Sequence, residues 1–404
     1  MAPDPPAPRP VPGPAPTPAP TPRRDPPPGT GPVVRHVVGA MTGTSLDGID
    51  VALVRICGRG LTMRVELQGH HAAPLPGPLR DTLGSLAAGR PHPVRTHLRA
   101  ARHLGVVHAE ACAALLARHP GVTVDAVAAH GQTVGHFPED GLSAQLFDPW
   151  PVVRALGVAV VFDLRQADLI AGGQGAPVTP LADWVRFRHA ADAVVNLGGI
   201  VNVTRLATTP AAVRGADVGP ANLLLDGLAE ALLDRPYDDG GAVALTGRPA
   251  AGLTAAVHAA VRERLVDRSL GREQFGRAWA RALADRLRRG HGPADILAAA
   301  AAAVARVAAG HPVLLDTKRW LLAGGGVRNA ALLRAFTAAA DAAGAAARPS
   351  DDAGVPAEAR EALAFAVLGA LSQDGVPATL PQVTGADRPG VAGVWAFPPV
   401  SARA

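Results

Sequence analysis

Aromatic residues and cysteines are scarce in this sequence. Phe, Trp and Tyr make up 3% of the 404 residues, whereas hydrophobic residues make up 48%. The cores must therefore be built mainly from Ala, Val and Leu, and aromatic platforms for nucleic-acid bases are few. Cys57 and Cys112 belong to no CxxC motif or Cys/His cluster, which disfavours structural zinc and a disulfide scaffold. A reducing, cytoplasmic compartment is expected.

Long apolar runs are also missing. No uncharged apolar segment reaches the roughly 18 residues of a transmembrane helix, so no membrane partner is expected. The first 32 residues lack the apolar core of a secretory signal and instead repeat proline, as in PAPRPVPGPAPTPAPTP. Proline fixes φ and removes backbone donors, so residues 1–32 are predicted to be an extended, disordered tail. A passive tail, a misplaced start and a ligand for a proline-binding partner all fit this composition.

The excess of basic over acidic residues is small for a chain of 404 residues. The formal net charge is +5 and the pI is about 10.3, with Lys318 the only lysine among 39 basic residues. The arginines are scattered among acids, and no basic run is interleaved with aromatics. A solvated surface therefore explains the charge better than a nucleic-acid interface does, and no nucleic-acid partner is expected.

Strands alternate with helices from Val33 onward, which is typical of an α/β protein with two lobes. RHVVGAM and VALVRI flank the turn TGTSLDGID, and DAVVNLGG and VNVTRL flank a second glycine turn. No helix follows these glycines, unlike in a Rossmann or P-loop unit. We predict an N-terminal lobe over 33–191 and a C-terminal lobe over 192–404. The Pro/Gly-rich segment after Gln373 is expected to pack back across the body, against the first lobe.

The turn MTGTSLDGID (41–50) is the most informative segment. Gly43 and Gly48 let the backbone approach an anion, and the amides of a tight glycine turn can form an anion-binding concavity. Asp47 and Asp50 could hold water on a magnesium ion. An ordinary hairpin turn is an equally good interpretation, because DG is common in such turns.

Polar residues follow two of the predicted strands. AHGQT places His130 and Gln132 at a strand end, where side chains of α/β proteins commonly line clefts, although a lone His is more often structural. In FDLRQADLIAGGQGAP the glycine run lacks the Lys-Ser/Thr of a Walker A motif. Arg165 could clamp a carboxylate through two parallel hydrogen bonds, or form a structural ion pair with Asp163 or Asp168.

Two acids and one further glycine segment complete the set. Asp217 precedes a predicted helix whose first turn contains Pro220, so it is either a helix cap or a general base facing a cleft. Glu361 opens EALAFA on an apolar helix face, where an acid needs a partner or a purpose. LAGGGVRN (322–329) is a strand–glycine–helix junction that could seat a nucleotide against helix amides.

In this order the motifs resemble one family, the anhydro-N-acetylmuramic acid kinases. The matching segments span about 33–400 and are MTGTSLDGID, HGQT, DLRQADLIAGGQGAP, NLGGIVN, DVGPAN, SLGREQF, AGGGVRN, EALAFA and PQVTGA. The resemblance implies a two-lobed actin-like ATPase (ribonuclease H-like) fold of the sugar kinase/actin/Hsp70-like superfamily, with ATP in the interlobe cleft. It also implies Mg²⁺, whose ligands it does not identify.

The resemblance further implies binding roles. The first phosphate loop would comprise Gly43, Thr44, Ser45, Leu46, Asp47, Gly48, Ile49 and Asp50. The second would include Gly198 and Gly199, and the adenosine site would be bordered by Gly324, Gly325 and Gly326. The sugar side would be lined by His130, Gln132, Arg165, Asp168 and Asn202.

The implied reaction combines hydrolysis and phosphoryl transfer. Asp217 would deprotonate a water that attacks the anomeric carbon of 1,6-anhydro-N-acetylmuramic acid. The departing O6 would take the γ-phosphoryl of ATP, which gives N-acetylmuramate 6-phosphate in cell-wall sugar recycling. Glu361 would polarise or position the sugar, and positioning with magnesium would supply most of the catalysis.

The departures from the family pattern remove none of the implied catalytic groups. Thr42 replaces the commoner Ser, Ala221 a Gly, Leu164 a Phe and Phe147 a small residue. Two alternatives are another sugar kinase of the superfamily acting on a plain hydroxyl, and a catalytically silent sugar- or nucleotide-binding regulator. HGQT, Arg165 and the GGQGAP segment argue against the first, and the intact Asp217 and Glu361 argue against the second. The oligomeric state is open, with a homodimer as one option.

Overall fold

The structure is a computed structural model that describes residues 33–43, 46–266, 270 and 272–399. The predicted tail 1–32 lies outside the described residues, and so do Thr44 and Ser45 of the predicted phosphate loop. Strands and helices alternate through most of the described chain. No helix of the described segments combines the length and the apolar character needed to span a bilayer.

A six-stranded sheet contains five strands from the first half of the chain and one strand from its last segment. Its strands are β1 (Val34–Thr42), β2 (Gly48–Cys57), β3 (Arg64–Pro74), β4 (Ala126–His130), β7 (Ala159–Phe162) and β13 (Val394–Ala396). The strand order is β13-β7-β4-β1-β2-β3. β1, β2 and β3 form an antiparallel meander, whereas β4 and β7 run parallel to β1. β13 closes the far edge antiparallel to β7.

A five-stranded sheet repeats this arrangement. Its strands are β8 (Ala193–Leu197), β9 (Ile200–Arg205), β10 (Arg214–Pro220), β11 (Arg319–Ala323) and β12 (Ala346–Pro349). The order β10-β9-β8-β11-β12 again joins an antiparallel meander to two parallel strands. This duplicated topology is that of the ribonuclease H-like, actin-like fold, so the predicted fold class is confirmed.

Helices cover the sheets, and one hairpin stands apart from them. The hairpin pairs β5 (Gln132–Phe137) with β6 (Leu142–Leu146). The helices of the first half are α1 (Gly77–Ala87), α2 (Val94–Leu116), α3 (Trp150–Leu156), α4 (Gln166–Leu169) and α5 (Pro180–Phe187). Those of the second half are α6 (Asn222–Leu233), α7 (Ala242–Thr246), α8 (Ala251–Arg262), α9 (Arg272–Phe275), α10 (Arg277–Leu287), α11 (Pro293–Ala309), α12 (Ala330–Ala342), α13 (Arg360–Gln373) and α14 (Pro381–Thr384).

Helix α13 is almost entirely buried and packs on the first sheet, although it follows every strand of the second. Its residues are mostly Ala, Leu, Phe and Val, so it has no solvent face. A Cβ at Gly39 in β1 would lie 1.8 Å from the carbonyl oxygen of Ala362, and a Cβ at Gly369 would lie 2.5 Å from the Ala128 side chain. These glycines let the helix approach β1 and β4 closely, which fixes the position of Glu361 in its first turn. The lobe boundaries at 33–191 and 192–404 stay a prediction.

Candidate active site

Asn196, Asn202 and Asp217 are side-by-side neighbours on β8, β9 and β10, and we call them the polar row. Asn196 pairs with Asn202 across β8 and β9, and Asn202 pairs with Asp217 across β9 and β10. Directly opposed residues have Cβ atoms about 4.5–5.5 Å apart, which short polar side chains can bridge. Asn202 Nδ2 donates to Asp217 Oδ1, and Asn196 Nδ2 lies 3.4 Å from Asn202 Oδ1. Two predicted site residues are therefore in direct contact.

Asp217 does not precede a helix with Pro220 in its first turn, as the sequence suggested. Residues 214–220 form β10, which bulges after Asp217, and α6 begins only at Asn222. Asp217 Oδ2 accepts a hydrogen bond from the backbone N–H of Leu270 at 2.9 Å. Burial raises the pKa of this carboxyl, and Leu270, Asn202 and the charge of Arg165 oppose the rise. An acid held by donors and raised in pKa suits general-base chemistry better than a helix cap.

Glu361 contacts the polar row at Asn196, the end opposite to Asp217. Its Oε1 lies 3.4 Å from Asn196 Nδ2, so Asn196 stands between the two predicted catalytic acids. Burial raises the pKa of Glu361, with Arg360 opposing and the charge of Asp50 adding to the rise. The Glu361 side chain nevertheless keeps 37% of its surface accessible, so it is not sealed off from solvent.

Arg165 binds neither Asp163 nor Asp168, the ion-pair partners that its sequence neighbours suggested. Its Nε donates to His130 Nε2 at 3.1 Å, and its Nη1 donates to the carbonyl oxygen of Gly175 at 2.6 Å. Burial lowers the pKa of Arg165 to about 10, against the charges of Glu361, Asp217 and Asp168. The guanidinium is thus a cation at neutral pH, surrounded by predicted site acids.

His130 and Gln132 each carry a buried polar atom that lacks a hydrogen-bond partner among the described residues. His130 is 5% exposed and Gln132 is 1% exposed. His130 Nδ1 and Gln132 Oε1 have no hydrogen-bond partner among the described residues. Burial, and then the charge of Arg165, lower the pKa of His130 well below its usual range, so the ring is neutral. Buried polar atoms are normally paired, so these two atoms lack a partner that such a site usually provides.

Asp168 is engaged in holding the glycine-rich segment that follows it. Its Oδ2 accepts from the backbone N–H of Gly175 at 2.7 Å, and its Oδ1 accepts from the Thr384 hydroxyl at 2.6 Å. The side chain is 2% exposed. These bonds tie the GGQGAP segment to α14, and the predicted contact of Asp168 with a sugar stays a prediction.

The first predicted phosphate loop is shorter than 43–50. Gly48, Ile49 and Asp50 belong to β2, so the connection between β1 and β2 covers only 43–47. A Cβ at Gly48 would lie 2.6 Å from the carbonyl oxygen of Ala73, so the neighbouring strand by itself requires a glycine here. Ile49 is fully buried, whereas Asp50 Oδ1 lies 3.1 Å from Nε2 of His70. Leu46 is buried and Asp47 lies at the bend before β2.

The other predicted glycines lie where β8 and β11 end. The carbonyl oxygen of Gly199 accepts from Ala221 N at 2.8 Å, and that of Gly198 accepts from Asn222 N at 3.1 Å, so this turn is bound to the start of α6. Gly324 has φ 85°, and a Cβ there would lie 2.6 Å from Asn196 Oδ1. Two further glycines follow it: a Cβ at Gly326 would lie 2.7 Å from the Leu197 carbonyl oxygen, whereas Gly325 faces open space.

Residues 35–398 match the family model for anhydro-N-acetylmuramic acid kinase. The chain belongs to this family. An anhydro-N-acetylmuramic acid kinase from Bordetella avium is 39% identical over 370 residues, which cover 89% of this chain and 95% of the relative. Another from Salinibacter ruber is 39% identical over 385 residues, covering 87% and 94%. Among solved structures, component A of (R)-2-hydroxyglutaryl-CoA dehydratase from Acidaminococcus fermentans is 13% identical with a TM-score of 0.43, covering 82% of this chain and 96% of that one. A TM-score of 0.43 is too low to support the fold assignment, which instead rests on the strand order of the two sheets.

For this member of the anhydro-N-acetylmuramic acid kinase family, the predicted site residues do not include Asn196, although it opens the matching segment NLGGIVN. The residue ends the apolar strand AVVNL and is 4% exposed. Its polar side chain at a buried strand position indicates a functional or structural partner, because a buried polar group requires hydrogen bonds. The partners became visible only with the register of β8, β9 and β10.

Proposed function

We propose that the chain opens 1,6-anhydro-N-acetylmuramic acid with water and phosphorylates O6 from ATP, as a step in recycling cell-wall sugars. Membership of the anhydro-N-acetylmuramic acid kinase family supports a kinase that acts on this small sugar. The observation that carries the assignment to residues is the polar row, which connects Asp217 to Glu361 through Asn202 and Asn196.

Asp217 is the proposed general base. It takes a proton from a water whose oxygen bonds to the anomeric carbon, the bond from that carbon to O6 breaks, and O6 takes the γ-phosphoryl group while ADP leaves. The raised pKa of Asp217 makes it a stronger base than an exposed carboxylate. Asn202 Nδ2 and Leu270 N hold its two oxygens, which fixes the direction of the carboxylate.

The sugar side is proposed to lie around Arg165. N-acetylmuramic acid carries a carboxylate, and a buried guanidinium is a suitable group for it. His130 Nδ1 offers a donor and Gln132 Oε1 an acceptor for hydroxyl or amide groups. Glu361, whose side chain is partly accessible, would position the sugar against Asp217.

The nucleotide is proposed to bind between the connection 43–47 and the glycine turns at Gly198–Gly199 and Gly324–Gly326. Magnesium would neutralise charge on the β- and γ-phosphates. No group of three His, Cys, Asp or Glu side chains in the described part of the chain could hold a metal ion. Asp47 and Asp50 supply hard oxygen ligands, and Mg²⁺ is commonly held by one or two carboxylates, waters and phosphates. The donor set therefore fits magnesium.

The product of a single incubation tests this proposal. Purified protein is mixed with ATP, magnesium and 1,6-anhydro-N-acetylmuramic acid, and the sugar product is analysed by mass spectrometry. A gain of one phosphoryl group and one water is expected, with ¹⁸O from labelled water at the anomeric carbon. A gain of phosphoryl alone would favour a kinase for a plain hydroxyl. Binding of sugar or nucleotide without ADP release would favour a silent regulator.

We also propose a cellular location and an oligomeric state for the protein. The low cysteine content supports a cytoplasmic protein. A homodimer is the option that sedimentation analysis would check, and retention on DNA at varied salt would check the expectation that no nucleic acid is bound.

A further inference from the structure

We infer that Asn196 is a positioning residue that orients both proposed catalytic acids at once, Glu361 directly and Asp217 through Asn202. The inference rests on the proposed function for the roles of these acids. It concerns a residue that touches neither the reacting carbon nor the phosphoryl group in that proposal.

The two carboxylates that flank the asparagines, Asp217 and Glu361, determine which atom donates in each hydrogen bond of the network. Asp217 and Glu361, when ionised, accept hydrogen bonds only. Asn202 gives its Nδ2 to Asp217, so its Oδ1 faces Asn196 and needs a donor. Asn196 Nδ2 carries two hydrogens and lies 3.4 Å from both Asn202 Oδ1 and Glu361 Oε1. One amide nitrogen therefore supplies the hydrogens for both halves of the network.

The opposite orientation of the Asn196 amide is excluded by the same neighbours. Exchanging its oxygen and nitrogen would bring its Oδ1 against Asn202 Oδ1 and Glu361 Oε1, which are both acceptors. In the observed orientation Oδ1 is buried without a hydrogen-bond partner among the described residues. It faces Gly324, where a Cβ would come within 2.6 Å of it. A glycine at 324 thus leaves room for the Asn196 amide, whose orientation is set by Asn202 and Glu361.

This arrangement has a consequence for protonation. A hydrogen bond donated to a carboxylate favours its charged form. Burial raises the pKa of Asp217 and of Glu361, and hydrogen bonds donated to their oxygens act against that rise. Without Asn196, Glu361 loses a donor and the Asn202 amide is free to turn away from Asp217. The pKa values of Asp217 and Glu361 should then both rise. A purely structural role for Asn196 would not raise both pKa values.

The test is a carboxyl titration of the full chain. Wild type, Asn196→Ala and Asn196→Leu are labelled with ¹³C at the Asp and Glu carboxyl carbons, and Asp217→Asn and Glu361→Gln assign the two resonances. Leucine is close to asparagine in shape, so it keeps the site filled if alanine does not fold. Both resonances are expected to titrate about one pH unit higher in the Asn196 variants. The low-pH limb of the kcat/KM profile should move by the same amount.

Thr254→Val is the matched control. Thr254 is buried in the same lobe with a hydroxyl that lacks a partner among the described residues, so the change removes a buried polar atom outside the polar row. Its titration and pH profile should match wild type. Unmoved resonances for both acids in the Asn196 variants would overturn the inference, as would a uniform loss of rate with an unmoved limb. If wild type lacks turnover the proposed function fails, yet the titration still decides the role of Asn196.

Discussion

Arg165 donates from Nε to Nε2 of His130 across 3.1 Å, which joins the start of α4 to the end of β4. Because Nε2 accepts, the neutral ring of His130 carries its proton on Nδ1, the atom without a partner among the described residues. The second bond of Arg165, to the carbonyl oxygen of Gly175, fixes the glycine-rich segment in the same place. One side chain therefore orients two neighbouring parts of the proposed sugar site.

Arg165→Lys is expected to weaken sugar binding while leaving ATP binding unchanged. Lysine keeps the charge but lacks the planar fork that reaches His130 and Gly175 together. Losing one charge-assisted hydrogen bond corresponds to a rise in the sugar KM of about tenfold or more. Steady-state kinetics with each substrate varied in turn would measure this.

The control for that change is Arg188→Lys. Arg188 also donates to a backbone carbonyl, that of Val185, but stacks on Trp184 away from the site. Its sugar KM should equal that of wild type. An unchanged sugar KM in Arg165→Lys would show that this guanidinium does not orient the sugar site.

Asp217→Asn is expected to abolish turnover and to leave ATP affinity nearly intact. Asparagine keeps the shape but cannot take a proton, and general-base catalysis contributes about 10²- to 10⁴-fold. Turnover is measured by product formation and ATP affinity by calorimetry. Asp234→Asn is the matched control, because Asp234 ends α6 with φ 54°, a conformation that asparagine adopts readily. Full activity in Asp217→Asn would remove this acid from the mechanism.

Much of the fold was predictable because its signals are local. Helix α2 (Val94–Leu116) follows apolar spacing, and β8 and β9 flank a visible glycine turn. Strand β10 was not predictable in the same way. Its GADVGP contains glycines and a proline, which locally indicate a turn, and its strand conformation depends on pairing with β9. Helix α1 (Gly77–Ala87) was missed because it starts within the proline-rich LPGP.

The candidate site was predictable as a list of residue types but not as a network. Asn196, Asn202 and Asp217 are separated along the chain, and only the register of three strands brings them into one row. The sequence left Arg165 either a bound carboxylate or an ion pair with Asp163 or Asp168, yet its hydrogen bonds in the fold go to His130 and to the Gly175 carbonyl oxygen. Contacts between residues that are distant in sequence therefore decide which polar side chains become hydrogen-bond partners.

The stability of the fold should fall between neutral pH and pH 4 because of His108. This side chain is fully buried, with Nδ1 2.9 Å from the Leu104 carbonyl oxygen. Burial lowers the pKa of His108 to about 4 from 6.5. Between these values the unfolded chain binds a proton that the folded chain excludes, so the free energy of unfolding falls as pH falls, by about 3 kcal/mol in total.

His108→Gln provides the measurement. Glutamine can keep polar contacts in the buried site but does not titrate, so its Tm should fall less steeply than that of wild type from pH 7 to pH 4.5. His130 remains in both proteins and its pKa is lowered chiefly by burial, so it adds a similar slope to both curves, although His108 contributes to that lowering. Parallel Tm curves would contradict a buried neutral His108.

Gly39→Ala should damage both stability and activity, because α13 leaves no room for a side chain at that point of β1. The new Cβ would lie 1.8 Å from the Ala362 carbonyl oxygen, a backbone atom that moves only if the helix moves. Overpacking commonly costs about 1–3 kcal/mol, and a shift of the helix would also displace Glu361, the residue before Ala362. Gly252→Ala on α8 is the control: nothing lies within 4 Å of its Cβ, so it should stabilise by up to about 1 kcal/mol. Urea unfolding and kcat are measured for both. A Gly39→Ala protein with wild-type stability and kcat would show that the contact between β1 and α13 does not set the position of Glu361.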